Sequence, residues 1–314
     1  MTPNAVFRFR ARTALKNHWQ VALLVVFIAS LPSIIPQVVG VMTGGDISTR
    51  LMALMNDASF LSADPDAMIA QLTAVFADKS VSIFMVVSVL AWLAAPVLTL
   101  GMHNYHINLL QGNPGEITSV FSRVGSFLKA VGLTPLVAMK TFLWSVPGMV
   151  VALGGTMLAA TMTDNAEAAV GLMLSVMSVG YVLMFALMIA AMLRYAMAVF
   201  VLAEKPETGI LSCIRRSKEI MKGRKVQLFV LEFSFIIWNL LVMLVYTMVG
   251  SMFGAVIGLT VQMFLNLFIV AYQNCSFAAF YLQYTTGKEP EPFQQLQEIL
   301  TEEKEDDPWN RSNE

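Results

Sequence analysis

Residues 197–238 read MAVFVLAEKPETGILSCIRRSKEIMKGRKVQLFVLEFSFIIW, and this stretch decides how the chain folds. An apolar segment ends near Ala203, a short basic segment follows, and a second apolar segment begins near Val226. A basic loop between two long apolar segments is typical of the cytosolic side of a membrane protein. The stretch therefore predicts both the class of protein and its orientation.

The composition of the whole chain agrees with a membrane protein. The 314 residues are 57% hydrophobic and 13% charged, and the mean hydropathy is +0.67. Ordinary soluble domains are nearer to about a quarter charged, so lipid is the natural solvent for this much apolar surface. Cys213 lies in a loop and Cys275 in an apolar run, which predicts no disulfide framework.

Six stretches reach the length of about 20 apolar residues that a membrane-spanning helix needs. They are residues 20–43, 80–109, 131–161, 168–202, 226–251 and 253–284. The first has no convincing signal-peptidase site after it, so we expect an uncleaved span. The sequence thus predicts an all-α, polytopic bundle in one domain, residues 1–284, with a helical outer loop at 44–79. The acidic tail, residues 285–314, is expected to be partly disordered.

Lysine and arginine are concentrated before the odd-numbered spans. The 203–225 segment carries seven bases, whereas the 44–79 segment carries two bases against five aspartates. By the positive-inside rule, both termini and the acidic tail are expected in the cytosol. The basic patch of the 203–225 segment comprises Arg215, Arg216, Lys218, Lys222, Arg224 and Lys225.

Each of the three basic segments also has the i, i+3, i+4, i+7 spacing of an amphipathic helix. We therefore expect three cytosolic interfacial helices, each leading into a hairpin of two spans. The resemblance among the three units indicates an internal repeat, although the positive-inside rule alone would also make such segments alike. The apolar faces comprise Phe7, Ala11, Ala14, Leu15 and His18, then Val120, Val124, Phe127 and Leu128, and finally Ile210, Cys213, Ile214, Ser217 and Met221.

Charged side chains within the spans are the sharpest candidates for a functional site. Lys140, Arg194 and Glu232 fall in the third, fourth and fifth spans, where a charge costs about 2.5–3.5 kcal/mol at mid-bilayer. One hypothesis is a polar cluster in the inner half of the bundle, with Glu232 neutralising one or both bases. The alternative is that the bases snorkel to the headgroups while Glu232 is hydrogen-bonded locally.

Polar stripes and helix breaks provide further candidates. Amides within a bilayer usually hydrogen-bond between helices, but they could also line a hydrated path. Broken helices are one signature of transporters, and they also occur without any transport site. The stripes comprise Asn239, Tyr246, Gln262, Asn266 and Gln273, and the breaks comprise Pro32, Pro36, Pro96, Pro147 and Gly148.

The sequence lacks the familiar motifs of soluble enzymes, so we do not expect an enzyme. His103 and His106 are three residues apart, but with no carboxylate or cysteine nearby they do not predict a metal site. We expect no cofactor and no nucleic-acid partner.

Several short motifs carry a family resemblance. The most specific block is Leu202-Ala203-Glu204-Lys205-Pro206, then Ser217 with Met221-Lys222-Gly223, then Phe229 with Ser234-Phe235 and Trp238. Further matches are Leu15-Lys16 with Trp19, Trp144 with Pro147-Gly148, Arg194-Tyr195, and Phe280-Tyr281. Over residues 8–284 the chain resembles the bacterial family catalogued as domain of unknown function 975. The resemblance implies a multi-span protein of the bacterial cytoplasmic membrane and implies no activity. The chain departs from the family at Gln111–Pro114, where a basic residue is common.

Two functions follow as hypotheses. The first is a non-enzymatic scaffold or accessory subunit, whose basic cytosolic face meets anionic lipid headgroups or a membrane-protein partner. The alternative is a transporter of a small solute, peptide or lipid that uses the region of Lys140, Arg194 and Glu232. A cavity that reaches these three residues from the cytosol would favour the transporter, and a dry, packed bundle would count against it.

Overall fold

The computed structural model describes residues 3–162 and 165–285, and within them the regular structure is helical, with no strand. The remainder of the predicted acidic tail, residues 286–314, lies outside the described residues. The α-helices are α1 (Pro3–Leu15), α2 (Trp19–Thr43), α3 (Ile47–Met55), α4 (Ala58–Leu61), α5 (Pro65–Ala77), α6 (Lys79–Leu110), α7 (Phe127–Ala159), α8 (Ala166–Tyr195), α9 (Ala198–Glu204), α10 (Ile210–Ile220), α11 (Lys225–Phe253) and α12 (Ala255–Thr285).

The prediction of six membrane-spanning helices is confirmed. Helices α2, α6, α7, α8, α11 and α12 are long and apolar enough to cross a bilayer. The fourth predicted span is divided, because α8 ends at Tyr195 and α9 continues from Ala198. Helix α7 contains Pro135 as well as the predicted Pro147.

The two ends of the bundle differ in charge. We call the end that carries α1, residues 111–126 and α9–α10 the basic end, and the end that carries α3–α5 the acidic end. At the acidic end, Asp64 caps α5 by accepting a hydrogen bond from the Ala67 amide, and Pro65 takes the first helical position. The sequence Asp64-Pro65 thus starts a helix as its residue types predict.

Arg50 of α3 binds the acidic-end loop to the ends of α2 and α6. Its guanidinium donates to the Gly44 carbonyl and to Ser80 Oγ, and its Nη1 lies 2.7 Å from the Asp78 carboxylate. Hydrogen bonds from Ser80 and from Arg50 lower the pKa of Asp78 well below its usual value. The charged Asp78 therefore stabilises this junction, where α2, α3 and α6 meet.

Consecutive long helices pack as three hairpins, α2 with α6, α7 with α8, and α11 with α12. In the second hairpin small residues bring two backbones together. A Cβ atom at Gly180 would lie 2.5 Å from Ala152 Cα, and one at Gly148 would lie 2.7 Å from Met184 Cβ. Close approach at small residues is a common way for helices to associate in lipid.

The hairpins meet mainly at the basic end. Most of α6 from Leu100 to Leu109, most of α9 and half of α12 beyond Ala271 are buried. Toward the acidic end the large apolar side chains of the spans are exposed, as on α8, where Leu174 is 55% and Val182 is 69% exposed. Apolar surface of this kind is compatible with contact with lipid chains.

The prediction of three interfacial amphipathic helices needs correction. The second segment is not an α-helix but two 3₁₀ turns, Ile117–Phe121 and Val124–Ser126. The carbonyl of Val120 crosses directly over Gly101, and Asn104 of α6 is hydrogen-bonded to Ser122 and Arg123, so tertiary contacts hold an irregular backbone. Serine and glycine are weak helix formers and do not oppose this conformation.

The first and third segments are helices, α1 and α10, but their apolar faces pack on protein. Phe7 of α1 makes an edge contact with Phe280 of α12, at 5.4 Å between ring centroids. Cys213 and Ile214 of α10 are fully or almost fully buried in the main core. An amphipathic pattern cannot by itself distinguish a lipid-facing helix from one that packs on a neighbour.

Candidate functional site

Glu232 and Arg194 each contact an uncharged side chain. Glu232 Oε1 accepts a hydrogen bond of 3.0 Å from Gln273 Nε2, which joins α11 to α12. The Arg194 guanidinium lies over the Trp144 ring, 5.6 Å from its centroid. Within residues 3–162 and 165–285, Glu232 forms no ion pair with Lys140 or with Arg194. The structure thus pairs Glu232 with an amide, which is the local hydrogen bonding of the alternative hypothesis.

The lengths of the helices explain why these charges need no ionic partner. Helix α6 has 32 residues, or about 48 Å, and the hydrocarbon core of a bilayer is about 30 Å thick. Lys140 and Glu232 lie about 29 and 32 Å from the acidic ends of α7 and α11, and Arg194 lies about 42 Å from that of α8. If the acidic ends reach the outer edge of the polar layer, about 5–8 Å outside the hydrocarbon core, Arg194 lies beyond the other surface of the core. Lys140 and Glu232 then lie within about 9 Å of that surface, and a lysine at this depth can snorkel to the headgroups.

The predicted polar stripes separate into packing contacts and a groove lining. Gln273 bonds Glu232, and Asn239 donates to the Phe235 carbonyl of its own helix at 3.0 Å. Tyr246 is half-buried. Gln262 and Asn266 line the groove described next.

A groove of about 640 Å³ lies between α2 and α12 toward the acidic end. It extends from Val26 to Met42 on one wall and from Val256 to Val270 on the other. The predicted helix breaks Pro32 and Pro36 lie within the same stretch of α2, which is one continuous helix, and they do not line the groove. Each proline removes one backbone hydrogen bond from α2.

A second cavity of about 250 Å³ lies at Pro96, the remaining predicted break in the first hairpin. Its walls are α6, α7 and α9, and they include Trp92, Leu133 and Val199. Neither this cavity nor the groove is lined by any of the three intramembrane charges.

The basic end is built on α10. The Ser217 hydroxyl donates to the Arg194 carbonyl at 3.1 Å, and Met221 is fully buried, so one face of α10 is fixed to the bundle. Burial raises the pKa of the Cys213 thiol on the same face, which keeps it protonated and unreactive. Arg215 and Arg216 on the other face are exposed.

The remaining bases of the patch contact aromatic rings or solvent. The Lys218 ammonium lies 5.7 Å from the Tyr195 ring centroid, and the Arg224 guanidinium lies 4.1 Å from that of Tyr284. Lys222 is exposed and Lys225 is half-buried. Cation–π contacts hold part of the patch against the protein surface.

Residues of the 202–206 motif accept hydrogen bonds from two distant helices, and the sequence did not predict these contacts. Tyr281 OH donates to Glu204 Oε2 at 2.6 Å, and Lys129 Nζ donates to the carbonyls of Pro206 and Glu207 at 2.7 and 2.9 Å. These bonds tie α12 and the start of α7 to the segment between α9 and α10. The contacting residues are 77 or 78 positions apart, and the one available signal was that both Glu204 and Tyr281 belong to family motifs.

The two histidines of α6 lie inside the basic-end core. His106 Nδ1 is 2.8 Å from the Met102 carbonyl, and the His103 ring lies 4.2 Å from that of Phe200. In the part of the chain that the structure describes, no group of three or more His, Cys, Asp or Glu residues could hold a metal ion.

Six apolar helices and a helical bundle define an integral membrane protein that crosses the bilayer several times. The sequence model of the family described as Protein of unknown function (DUF975) matches residues 1–288, and the chain belongs to this family. The resemblance seen in the motifs is thereby confirmed. No curated protein and no solved structure matched the chain.

Proposed function

We propose that this protein is a non-enzymatic scaffold or accessory subunit of the bacterial cytoplasmic membrane, and that its basic end binds anionic lipid headgroups on the cytosolic side. One observation carries the proposal. Helix α10 is fixed by a buried face and presents Arg215 and Arg216 on its exposed side, and Lys222, which follows the helix, is also exposed. A rigid array of bases beside the membrane surface is suited to anionic lipid.

The strength of such an array can be bounded. Each base near an anionic surface contributes about 1 kcal/mol, so the three exposed bases contribute at most about 3 kcal/mol. The attraction falls with salt, since the Debye length shrinks from about 8 Å at 0.15 M to about 3 Å at 1 M. Lys218 and Arg224 contribute less, because they also contact tyrosine rings, and Arg216 contributes less because its Nη1 lies 3.1 Å from the Glu219 carboxylate.

The proposed orientation has its own test. Single cysteines at Ser212 on α10 and at Ser59 in the acidic-end loop would report the two sides, because both serines are exposed while Cys213 and Cys275 are buried. In intact cells a maleimide that cannot cross the inner membrane should label the Ser59→Cys variant and spare the Ser212→Cys variant. The reverse pattern would place the basic end outside and contradict the proposal.

The lipid contact is tested with the full chain in nanodiscs. Spin-labelled phosphatidylglycerol and phosphatidylcholine report how strongly each lipid is held at the protein surface. We expect wild-type protein to prefer phosphatidylglycerol, and we expect the combined change of Arg215, Arg216, Lys218 and Lys222 to Gln to bring the preference toward parity. A preference unchanged by these substitutions would refute the proposal.

A charge-conserving control separates charge from folding. Arg215→Lys with Arg216→Lys keeps both positive charges, so the preference for phosphatidylglycerol should stay near the wild-type value. Raising the salt to 1 M should weaken the preference in the wild type and in this control, and change it little in the glutamine variant.

The geometry gives less support to a transporter that works through the three intramembrane charges. The groove and the cavity at Pro96 both lie away from Lys140, Arg194 and Glu232. The basic end, through which a cytosolic path would run, is occupied by two packed clusters of buried side chains.

A further inference from the structure

We infer that the groove between α2 and α12 is a binding site for one glycerophospholipid, held by its ester groups near Gln37 and Gln262 and by one acyl chain along the deeper wall. This inference goes beyond the proposed function, because the groove lies toward the acidic end and the basic patch lies at the other end. It concerns the glycerol and chain region of a lipid, not its headgroup charge.

Unpartnered amides distinguish this groove from ordinary lipid-facing surface. No hydrogen bond between described residues uses the side chain of Gln37, Gln262 or Asn266, although all three line the groove. Two amides elsewhere on the long helices are satisfied, since Asn239 donates to the Phe235 carbonyl at 3.0 Å and Asn274, toward the basic end, donates to the Val270 carbonyl at 2.9 Å. An amide without a partner in a low-dielectric layer is costly, so the groove amides call for a ligand with hydrogen-bonding groups.

The two hydroxyl groups that line the groove, unlike its amides, already form hydrogen bonds. Ser30 Oγ donates to the Val26 carbonyl at 2.8 Å, and Thr260 Oγ1 donates to the Val256 carbonyl at 2.9 Å. Each hydroxyl is thus satisfied within its own helix. The amides are therefore the groups that a ligand would engage.

The depth of the amides matches the ester region of a lipid. Gln37 lies about 9 Å from the end of α2 at Thr43, and Gln262 lies about 11 Å from the start of α12 at Ala255. The polar layer of each leaflet is about 5–8 Å thick, so both amides lie just beneath the headgroups. There their N–H groups meet ester carbonyls, while the wall beyond them, down to Val26 and Val270, meets the chain.

The size of the groove favours a lipid over a protein helix. Its volume of about 640 Å³ falls within the range of about 300–1,000 Å³ of small-molecule sites. A partner helix about 10 Å wide and as long as the α2 wall, about 24 Å, would need about 1,900 Å³. A helix would therefore rest on the rim, where it could meet the exposed Gln37 but would leave the groove below unfilled.

The test uses full-length protein in nanodiscs with phosphatidylcholine or phosphatidylglycerol that carries a photoreactive diazirine on one acyl chain. Peptides labelled after illumination are mapped by mass spectrometry. We expect residues 26–42 and 256–270 to be labelled several-fold more than the exposed face of α8 around Leu174 and Val182, and equally with both headgroups. Uniform labelling of all spans would overturn the inference.

Substitutions then distinguish the contribution of the apolar wall, which would contact the acyl chain, from that of the amides. Ser30→Phe with Thr260→Phe fills the groove and should abolish its excess labelling, whereas Leu174→Phe on α8 should leave it unchanged. Gln37→Met with Gln262→Met keeps the shape but removes two hydrogen bonds, each worth about 2.8-fold in affinity, so the excess labelling of the groove should fall about eightfold.

Two further outcomes would overturn the inference. Asn266 lies about 17 Å from the start of α12, below the ester level, so Asn266→Leu should change the labelling less than twofold. An effect as large as that of the two glutamines would exclude ester recognition as the source of the preference. Cross-links between two copies of the chain within 26–42 or 256–270 would identify a protein as the occupant instead.

Discussion

Replacing Gly180 by Ala tests the packing of α7 against α8 most directly. The added methyl group would lie 2.5 Å from Ala152 Cα and 2.6 Å from Ala152 Cβ, closer than Cβ atoms approach such neighbours. The two helices would have to move apart, and overpacking of this kind typically costs about 1–3 kcal/mol. Alanine also favours a helix over glycine by up to about 1 kcal/mol, which offsets part of this cost.

Gly171 provides the matched control, because it lies in the same helix and a Cβ atom there would meet nothing within 4 Å. Gly171→Ala should leave the free energy of unfolding unchanged or raise it by up to about 1 kcal/mol. The difference between Gly180→Ala and Gly171→Ala then isolates the clash, and we expect about 1–3 kcal/mol. The assay is reversible unfolding in mixed micelles at increasing mole fractions of sodium dodecyl sulfate, followed by tryptophan fluorescence.

A second substitution shows where the clash lies. Because the added methyl group at Gly180 would meet backbone atoms of Ala152, the further change Ala152→Gly should restore little of the lost stability. Equal stabilities of the Gly180→Ala and Gly171→Ala variants would refute the close approach of the two backbones. Full rescue by Ala152→Gly would show that only side chains are in contact.

Two more predictions concern the ends of the bundle. Gly101→Ala places a methyl group 2.5 Å from the carbonyl carbon of Val120, so hydrogen exchange across 117–126 should accelerate while exchange in the acidic-end loop stays unchanged. Hydrogen bonds from Ser80 and Arg50 lower the pKa of Asp78 from 3.8, so its stabilisation of the loop is complete above pH 3.8 and is lost as the pH falls below it. Exchange in α3, corrected for its intrinsic pH dependence, should therefore rise below about pH 4 in the wild type, and Asp78→Asn should raise it at neutral pH.

Asp57 serves as the control for Asp78. It caps α4 through a hydrogen bond from Ser59, which lowers its pKa, and no ion pair with a described base accompanies that cap. Asp57→Asn keeps a residue that caps helices well and should leave exchange in α3 near the wild-type rate. If it opens α3 as much as Asp78→Asn does, the contact between Arg50 and Asp78 is not what holds the loop.

The spans were predictable because lipid leaves the backbone few choices. A long apolar stretch must satisfy its own hydrogen bonds as a helix, so hydropathy alone locates α2, α6, α7, α8, α11 and α12. The helix that starts at Asp64-Pro65 followed from the same kind of local rule, since cap and first turn are set by neighbouring residues.

Tertiary contacts decide the parts that the sequence missed. Val120 and Phe127 have helical spacing, yet the backbone between Ile117 and Ser126 follows the surface of α6 around Gly101. Periodicity indicates the conformation that a segment prefers in isolation. Here contacts with α6 select two 3₁₀ turns instead of an α-helix. The contact of Tyr281 with Glu204 was hidden in the same way, because the two residues are 77 positions apart.

The position of Glu232 shows how the same residues allow two interpretations, depending on the helix end from which depth is counted. Counting inward from the basic ends of the helices places Lys140, Arg194 and Glu232 within the bilayer, where charges need partners. The helices are longer than the hydrocarbon core is thick, however, and counting from the acidic ends places the same side chains near its far boundary. There Glu232 needs only the amide of Gln273, and Arg194 can lie over Trp144 beside the headgroups. The excess length of the helices then belongs to a packed core at the basic end, which supports one face of α10, while the groove beside Gln37 lies toward the acidic end.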